Sequence, residues 1–286
     1  MSNTVDSRST GRTRPPLAMP LIVAVDIDGT ICHPDAHRDR DAHTTVTAVV
    51  RDRIAAVLRS DANLVLCTGR LAPATMPFLR ALDIGKGYAV CSNGAVVLDA
   101  GTGEVLHQNA FDLTEVVTDL RHRIPGGVFV AEDPGVGVRV TGQVSDVDTF
   151  FGVVRSVDLD RLACEPTTRL AVHWPGHSAD ELAEALAESS VAGVHCWIYP
   201  GEPVVDLTAE TVNKASALET LRKDLGIAAD RTLAIGDGVN DVEMLQWAGW
   251  SVAMGQAPQS VHNAADDICP PVSEDGLVTA LARWFS

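Results

Sequence analysis

Residues 21–30 read LIVAVDIDGT, and the way this stretch ends decides the fold. Five apolar residues, Leu21 to Val25, carry no charge and run directly into Asp26, Asp28, Gly29 and Thr30. An uninterrupted apolar run suits a strand covered on both faces, as in a parallel sheet, and ligands of such sheets bind just beyond the carboxyl ends of the strands. Alternation along the extended chain points Asp26 and Asp28 to the same side. Carboxylates that close repel, so the pair implies a cation between them or a shared proton.

The same pattern recurs outward from this stretch. After a polar loop (33–43), Val46, Val49, Val50, Ile54, Val57 and Leu58 recur at helical spacing. Residues 63–67 form a second apolar strand that delivers Thr68, Gly69 and Arg70 to its end. A helix over 73–82 leads to a third strand, 88–92, ending at Asn93-Gly94. Strands and helices that alternate in this way build a parallel sheet with right-handed crossovers. From Ala95 the pattern changes. A hairpin (95–99 and 104–107), helices over 113–124, 146–157 and 179–188, and strands at 128–131, 136–140, 169–173, 194–199 and 204–207 predict an α+β insert. The first pattern then resumes. Asn213 caps a helix over 214–225 that Gly226 ends, strand 232–235 runs into Gly236-Asp237-Gly238-Val239-Asn240-Asp241, and short strands near 251–253 and Ile268 close the sheet. The expected fold is α/β, a doubly wound parallel sheet of Rossmann-like form over 17–94 and 208–286. An α+β cap over 95–207 is inserted in it, and 1–16, rich in Ser, Thr and Arg, is a disordered leader.

Composition narrows the partners. Among 286 residues, 22 Lys and Arg face 38 Asp and Glu, a net charge of −16. So acidic a surface disfavours nucleic acid and anionic membranes, and an anionic substrate must be met by local positive charge or a metal. No run reaches the 18 or so apolar residues of a membrane span. Six cysteines show no CxxC pair, which speaks against a zinc site or disulfide framework and for reduced thiols in the cytoplasm. Cys32, Cys67 and Cys91 each follow or end an apolar run and read as small buried hydrophobes. Nothing in the sequence speaks to oligomeric state.

Asp26 and Asp28, Thr68, Lys214, and Asp237 and Asp241 thus stand at strand ends or a helix start, the parts of a phosphoryl-transfer site. Magnesium prefers an octahedron of oxygens. Asp26, Asp237 and a backbone carbonyl near Asp28 supply them, with Asp241 bound directly or one step removed. An ionised Asp26 attacks phosphorus once cations offset the repulsion between anions, forming an aspartyl phosphate. Asp28 protonates the leaving alkoxide and then takes a proton from water. Thr68, backbone N–H groups near Gly29 and Gly69, and the Lys214 ammonium stabilise the transferred group.

VDIDGT (25–30), CTGR (67–70), VNKASAL (212–218) and GDGVNDVEML (236–245) resemble the four motifs of the haloacid dehalogenase-like phosphatases. CSNGAVV, AGWSVAMGQAPQSVHNAAD and EDGLVTAL are similar to its Cof-type (IIB) branch, whose cap lies between the second and third motifs. The resemblance implies Asp26 as nucleophile and Asp28 as acid and base. It makes Thr68, Gly69 and Lys214 phosphate contacts, and Asp26, Asp28 (through its carbonyl), Asp237 and Asp241 the magnesium site. Arg70, Asn93 and Asn240 would border the substrate. Ala215 departs from the glycine usual after the lysine. The activity implied is hydrolysis of a small phosphate monoester, sugar phosphates included. A phosphotransferase or mutase is the alternative, and a silent phosphometabolite sensor a third reading. In the cap, Glu132, Asp133, Arg139, Arg169, His173 and Trp197 are candidates to face the substrate, with Arg139 or Arg169 placed to meet a second anionic group.

Overall fold

The computed structural model describes residues 18–33, 46–142, 152–187, 193–199 and 201–285. The leader read at 1–16 lies outside them, as do nearly all of loop 33–43 and positions 146–151. The first part of the chain alternates β1 (Ile22–Val25), α1 (Ala48–Leu58), β2 (Asn63–Cys67), α2 (Ala72–Ala81) and β3 (Tyr88–Cys91), followed by the hairpin β4 (Val96–Asp99) and β5 (Val105–Gln108). Next come α3 (Thr114–Arg123), β6 (Val128–Asp133), β7 (Gly137–Val140), β8 (Val153–Ser156), α4 (Leu159–Ala163), β9 (Leu170–His173), α5 (Ala179–Ala187), β10 (Val194–Ile198) and β11 (Val204–Ala209). The last part holds α6 (Lys214–Asp224), β12 (Thr232–Gly236), α7 (Val242–Trp247), β13 (Trp250–Ala253), α8 (Gln259–His262), β14 (Asp267–Ile268) and α9 (Gly276–Leu281).

An eight-stranded sheet runs β14-β13-β12-β1-β2-β3-β4-β5, with β1 parallel to both its neighbours. Its apolar run is explained by a layer on each face. Val23 and Val25 pack with α1, α2 and α9, while Ile22 and Ala24 pack with α6, α7 and α8. Both sets of alternate residues are therefore buried, as a doubly wound sheet requires. A second sheet runs β10-β11-β9-β6-β7-β8. Phe129, Ala131, Leu170, Val172, Val205 and Leu207 form one of its faces and bury it against the cap helices, namely Val116, Val117 and Leu120 of α3, Leu162 of α4 and Leu182 of α5.

Two expectations are corrected. The hairpin read as the opening of the insert belongs to the first sheet, where β4 lies antiparallel to β3 with Cys91 opposite Val96. The cause is local: Ser92 (φ 51), Asn93 (φ 54) and Gly94 (φ 102) occupy the left-handed region and turn the chain straight back. The second sheet accordingly begins beyond Gln108. The helix read over 146–157 is replaced, in its described part, by strand β8, parallel to β7. Val153 and Val154 suit the extended chain, and Gly137 admits the approach, since a Cβ there would overlap the Val153 carbonyl oxygen. Helix α4, which the apolar pattern did not announce, is capped by Asp158, whose side chain accepts from the Arg161 N–H. No helix among the described residues is long and apolar enough to cross a membrane.

Candidate active site

The site lies at the carboxyl ends of β1, β2, β3 and β12. Asp26 extends β1 by one rung, donating its N–H to the Ile235 carbonyl at 3.0 Å, and its side chain is buried. Lys214 Nζ donates to Asp26 Oδ1 at 2.7 Å and to Asp241 Oδ1 at 2.6 Å. A lysine as the first residue of a helix opposes the helix dipole. Here the helix is started by Asn213 and Ser216, which cap each other's backbone, and the two carboxylates hold the ammonium in place. Burial alone would discharge Lys214, but Asp241 and Asp26 outweigh it and raise its pKa. Ala215 leaves this contact intact.

Asp237 follows β12 and lies over Gly29 (φ 79), where a Cβ would overlap the Asp237 carboxylate. Only glycine permits that approach. Gln256 Nε2 donates to the Gly29 carbonyl at 2.6 Å and to Asp237 Oδ2 at 3.1 Å, and its own Oε1 accepts from the Val272 N–H. Asp241 is held on both sides, its Oδ2 accepting from the N–H groups of Asp237 at 3.0 Å and Gly238 at 2.9 Å. Asp26, Asp237 and Asp241 each present an oxygen within 4.8 Å of the others. Burial drives the Asp26 carboxyl well above its ordinary pKa; Lys214 pulls it down, and Asp241, Asp237 and Asp28 push it further up. Burial and the neighbouring Asp241 push Asp237 to about 7, against the Gln256 hydrogen bond and Lys214. Three carboxylates share one ammonium, an excess of buried negative charge on hard oxygen donors. Such a set fits a magnesium ion.

The carboxylates of Asp26 and Asp28 take different partners, Lys214 for the first and Arg70 for the second. Asp28 turns to Arg70, which donates from Nε to Oδ2 at 2.7 Å and from Nη2 to Oδ1 at 2.5 Å. The Arg70 guanidinium also lies 4.6 Å from the centre of the Phe78 ring. Arg70, expected to border the substrate, is thus bound to the second aspartate. Thr68 is buried, its Oγ1 accepting from the Arg70 N–H at 3.1 Å. Among the backbone N–H groups near Gly29, that of Gly29 itself donates to the Cys32 carbonyl at 2.7 Å. Asn240 Nδ2 donates to Asn93 Oδ1 at 2.8 Å, and both side chains crowd the position a Cβ of Gly69 would take. The structure therefore gathers Asp26, Asp28, Thr68, Gly69, Arg70, Asn93, Lys214, Asp237, Asn240 and Asp241 around one point.

The second sheet roofs that point. Asn93 Nδ2 donates to the Tyr199 hydroxyl at 3.3 Å, Tyr199 donates to Asp206 Oδ2 at 3.0 Å, and Arg169 Nη2 reaches both Asp206 oxygens at 2.6 Å. Val138 and Val140 of β7 pack on Leu71, next to Arg70. Tyr199, Asp206 and Gln256 were missed by the sequence reading; only Gln256 had a signal, its place in the stretch 248–266. Of the cap candidates, Arg139 is engaged by Asp133 and by the carbonyls of Leu162 and Pro166, and His173 is exposed at the far end of β9. Cys32, Cys67 and Cys91 are buried and free, and burial pushes their thiols up, Cys32 and Cys91 to about 12. They act as packing.

Comparison with known proteins agrees with this geometry. A family model described as haloacid dehalogenase-like hydrolase matches residues 23–124 and 157–281. A phosphoglycolate phosphatase of Methanothermobacter thermautotrophicus is 32% identical over 171 residues, 56% of this chain and 73% of that protein. The 5-amino-6-(5-phospho-D-ribitylamino)uracil phosphatase YitU of Bacillus subtilis is 25% identical, covering 93% of this chain and 98% of its own length. The solved structure of the subclass IIB sugar phosphatase BT4131 superposes with a TM-score of 0.75 at 20% identity, over 92% of this chain and 98% of that one. The chain belongs to the haloacid dehalogenase-like hydrolases, on a branch whose relatives are phosphatases.

Proposed function

We propose that this chain is a magnesium-dependent phosphomonoester hydrolase of a small phosphorylated metabolite, acting through an aspartyl phosphate on Asp26. The observation that supports it best is the Asp26 carboxylate, buried at the end of β1, fixed by Lys214 and flanked by Asp237 and Asp241. Asp26 attacks phosphorus, the bond from phosphorus to the ester oxygen breaks, and the departing alkoxide takes a proton from Asp28. Water then attacks the aspartyl phosphate and gives its proton to Asp28, releasing phosphate and restoring Asp26. Arg70 orients Asp28 by two hydrogen bonds, which suits the second step. Lys214 and Thr68 offer fixed donors to the transferred group. Asp26, Asp237 and the Asp28 carbonyl would hold magnesium, which supplies positive charge where oxyanions approach. Asp241 fixes Lys214 and the loop after β12 through both its oxygens, and would join the metal directly or one step removed. The free thiols suit the cytoplasm as its compartment.

Asp26→Asn is the test. Release of phosphate from p-nitrophenyl phosphate with magnesium should fall by at least about a thousandfold, with the circular dichroism of the folded protein kept. Turnover equal to wild type overturns the mechanism. Free phosphate as product, rather than an isomerised ester, separates the hydrolase from a mutase.

A further inference from the structure

Gln256 stands on the loop between β13 and α8 and joins stretches of chain that meet beside Asp237. Its Nε2 donates to the Gly29 carbonyl after β1 at 2.6 Å and to Asp237 Oδ2 after β12 at 3.1 Å, and its Oε1 accepts from the Val272 N–H at 2.9 Å. A side-chain amide keeps its shape when it is turned over, so its partners decide its direction. A backbone N–H only donates. Val272 must therefore meet the amide oxygen, and both amide hydrogens are left for the two acceptors opposite. All three bonds form in this orientation and none in the other. Gln256 is exposed, so these bonds rather than packing set its side chain. The loop that carries it is fixed: the Met254 N–H donates to the Gly236 carbonyl at 3.0 Å, Met254 is buried, and a Cβ on Gly255 would crowd the Cys269 carbonyl oxygen and the Pro271 nitrogen.

The three carboxylates of the acidic cluster are not held alike. Asp26 is held by Lys214, and Asp241 by Lys214 and two backbone N–H groups. Among the described residues, the Asp237 carboxylate accepts a hydrogen bond from Gln256 alone. Without that bond it would turn about its own Cβ–Cγ axis, presenting now one oxygen and now two. Magnesium demands a near-ideal octahedron of short bonds, whereas calcium takes a larger, adaptable shell in which a carboxylate gives one oxygen or both. A carboxylate that turns freely therefore harms magnesium binding and suits calcium. We infer that Gln256 is a positioning residue of the metal site: it holds the Asp237 carboxylate against rotation and so sets the preference of the site for magnesium over calcium. The Gly29 carbonyl anchors the same amide at the point where the Asp237 carboxylate lies against the loop after β1. The inference rests on the magnesium site of the reading above.

Calorimetric titration of the full-length protein without substrate, once with magnesium chloride and once with calcium chloride, tests it. Gln256→Met keeps the length of the side chain and removes all three bonds. It should weaken magnesium binding by about tenfold, as when a residue that supports a metal ligand is replaced. Calcium binding should change by less than about threefold, so the ratio of the two dissociation constants moves toward calcium by about threefold or more. Val272→Pro acts from the far end of the amide. It removes only the N–H that orients Gln256, at the first position of the turn Val272–Glu274, and the extended backbone of Pro271 (ψ 164) accepts a following proline. The ratio should shift the same way by about twofold in a chain that keeps both Gln256 and Asp237, and this variant decides the matter if Gln256→Met fails to fold. A merely structural role would weaken both ions by one factor. A ratio equal to that of wild type, with both ions unaffected or both weakened alike, overturns the inference alone. Magnesium that does not bind the wild-type protein removes the metal site of the reading above and this inference with it.

Discussion

At the floor of the site Lys214 is fully buried and directs two of its three N–H groups to carboxylates. It joins Asp26 to Asp241, and Asp241 in turn holds two backbone N–H groups of the loop after β12. In the roof, Trp197 is buried and Arg169 partly buried, and each keeps one N–H without a hydrogen-bond partner. Both regions bury charge, and the floor holds its ammonium between two carboxylates. The difference follows from what each must do. The floor handles the same phosphoryl group in every turnover, so its dipoles are fixed beforehand. A roof that receives a leaving group must leave donors and acceptors for it.

The sharpest way to break the floor is Lys214→Met. Two buried carboxylates would lose their shared cation, which costs about 3–5 kcal/mol when one partner of a buried pair is removed. Urea unfolding should show a loss of that order, and phosphate release should drop by about a hundredfold or more. Adding Asp26→Asn and Asp241→Asn to that variant should return much of the stability and none of the activity. If Lys214→Met alone unfolds like wild type, the floor is not held by this pair.

Gly29→Ala comes next. Its φ of 79 and the overlap of Asp237 Oδ2 with the would-be Cβ leave Asp237 no place to stay. The strained backbone alone costs about 1–2 kcal/mol. Displacement of Asp237 should weaken magnesium binding by about tenfold, read by calorimetry on the protein without substrate.

A smaller effect separates metal from fold. Asp237, pushed to about 7, binds its proton more tightly in the folded chain than in the unfolded one. The stabilisation from that proton is complete below about pH 4 and is lost as pH rises through 7. Magnesium binds the carboxylate form, so it restores stability where the proton has left. The rise in Tm on adding magnesium should therefore be a few degrees larger at pH 8 than at pH 5.5. A rise that is larger at pH 5.5 contradicts the placement of Asp237 in the metal site.

The floor was also the more legible region, for a physical reason. β1 is apolar without a break because α1 and α2 cover one face and α6 and α7 the other, so its polar end is conspicuous. Asp26, Thr68 and Asp237 could be read from the same pattern repeated, and Lys214 from its place behind the cap residue Asn213. The turn after β3 was only half legible: Asn93-Gly94 is a turn signal, but a positive φ at Ser92 is not announced by its residue type. The hairpin was consequently assigned to the wrong sheet. Arg70 has two partners within reach of its side chain, substrate or Asp28, and only the folded geometry chooses. Tyr199 and Asp206 lie on or beside strands whose other face is apolar, the ordinary pattern of a solvated edge. Alternation reveals that Asp206 faces away from the cap core, but the cover over it is the first sheet, far away in the chain.

The smallest effect compares two helix caps, one in each region. Asn213 accepts from the Ser216 N–H at 2.9 Å at the start of α6, and Asp158 accepts from the Arg161 N–H at 2.7 Å at the start of α4. Replacing either residue by alanine removes one capping bond and should cost about 1 kcal/mol of stability. The functional results should differ. Lys214 is the residue directly after Asn213, so fraying of the first turn of α6 loosens the ammonium that orients Asp26, and a displacement on the order of 1 Å lowers turnover well beyond the loss of stability. The first turn of α4 carries no side chain bonded to the catalytic groups among the described residues. Asn213→Ala should reduce kcat on p-nitrophenyl phosphate by about tenfold, whereas Asp158→Ala should leave it within about twofold of wild type. Equal kcat in the two variants would mean that Lys214 is positioned by Asp26 and Asp241 alone, and that the helix beneath it contributes only stability.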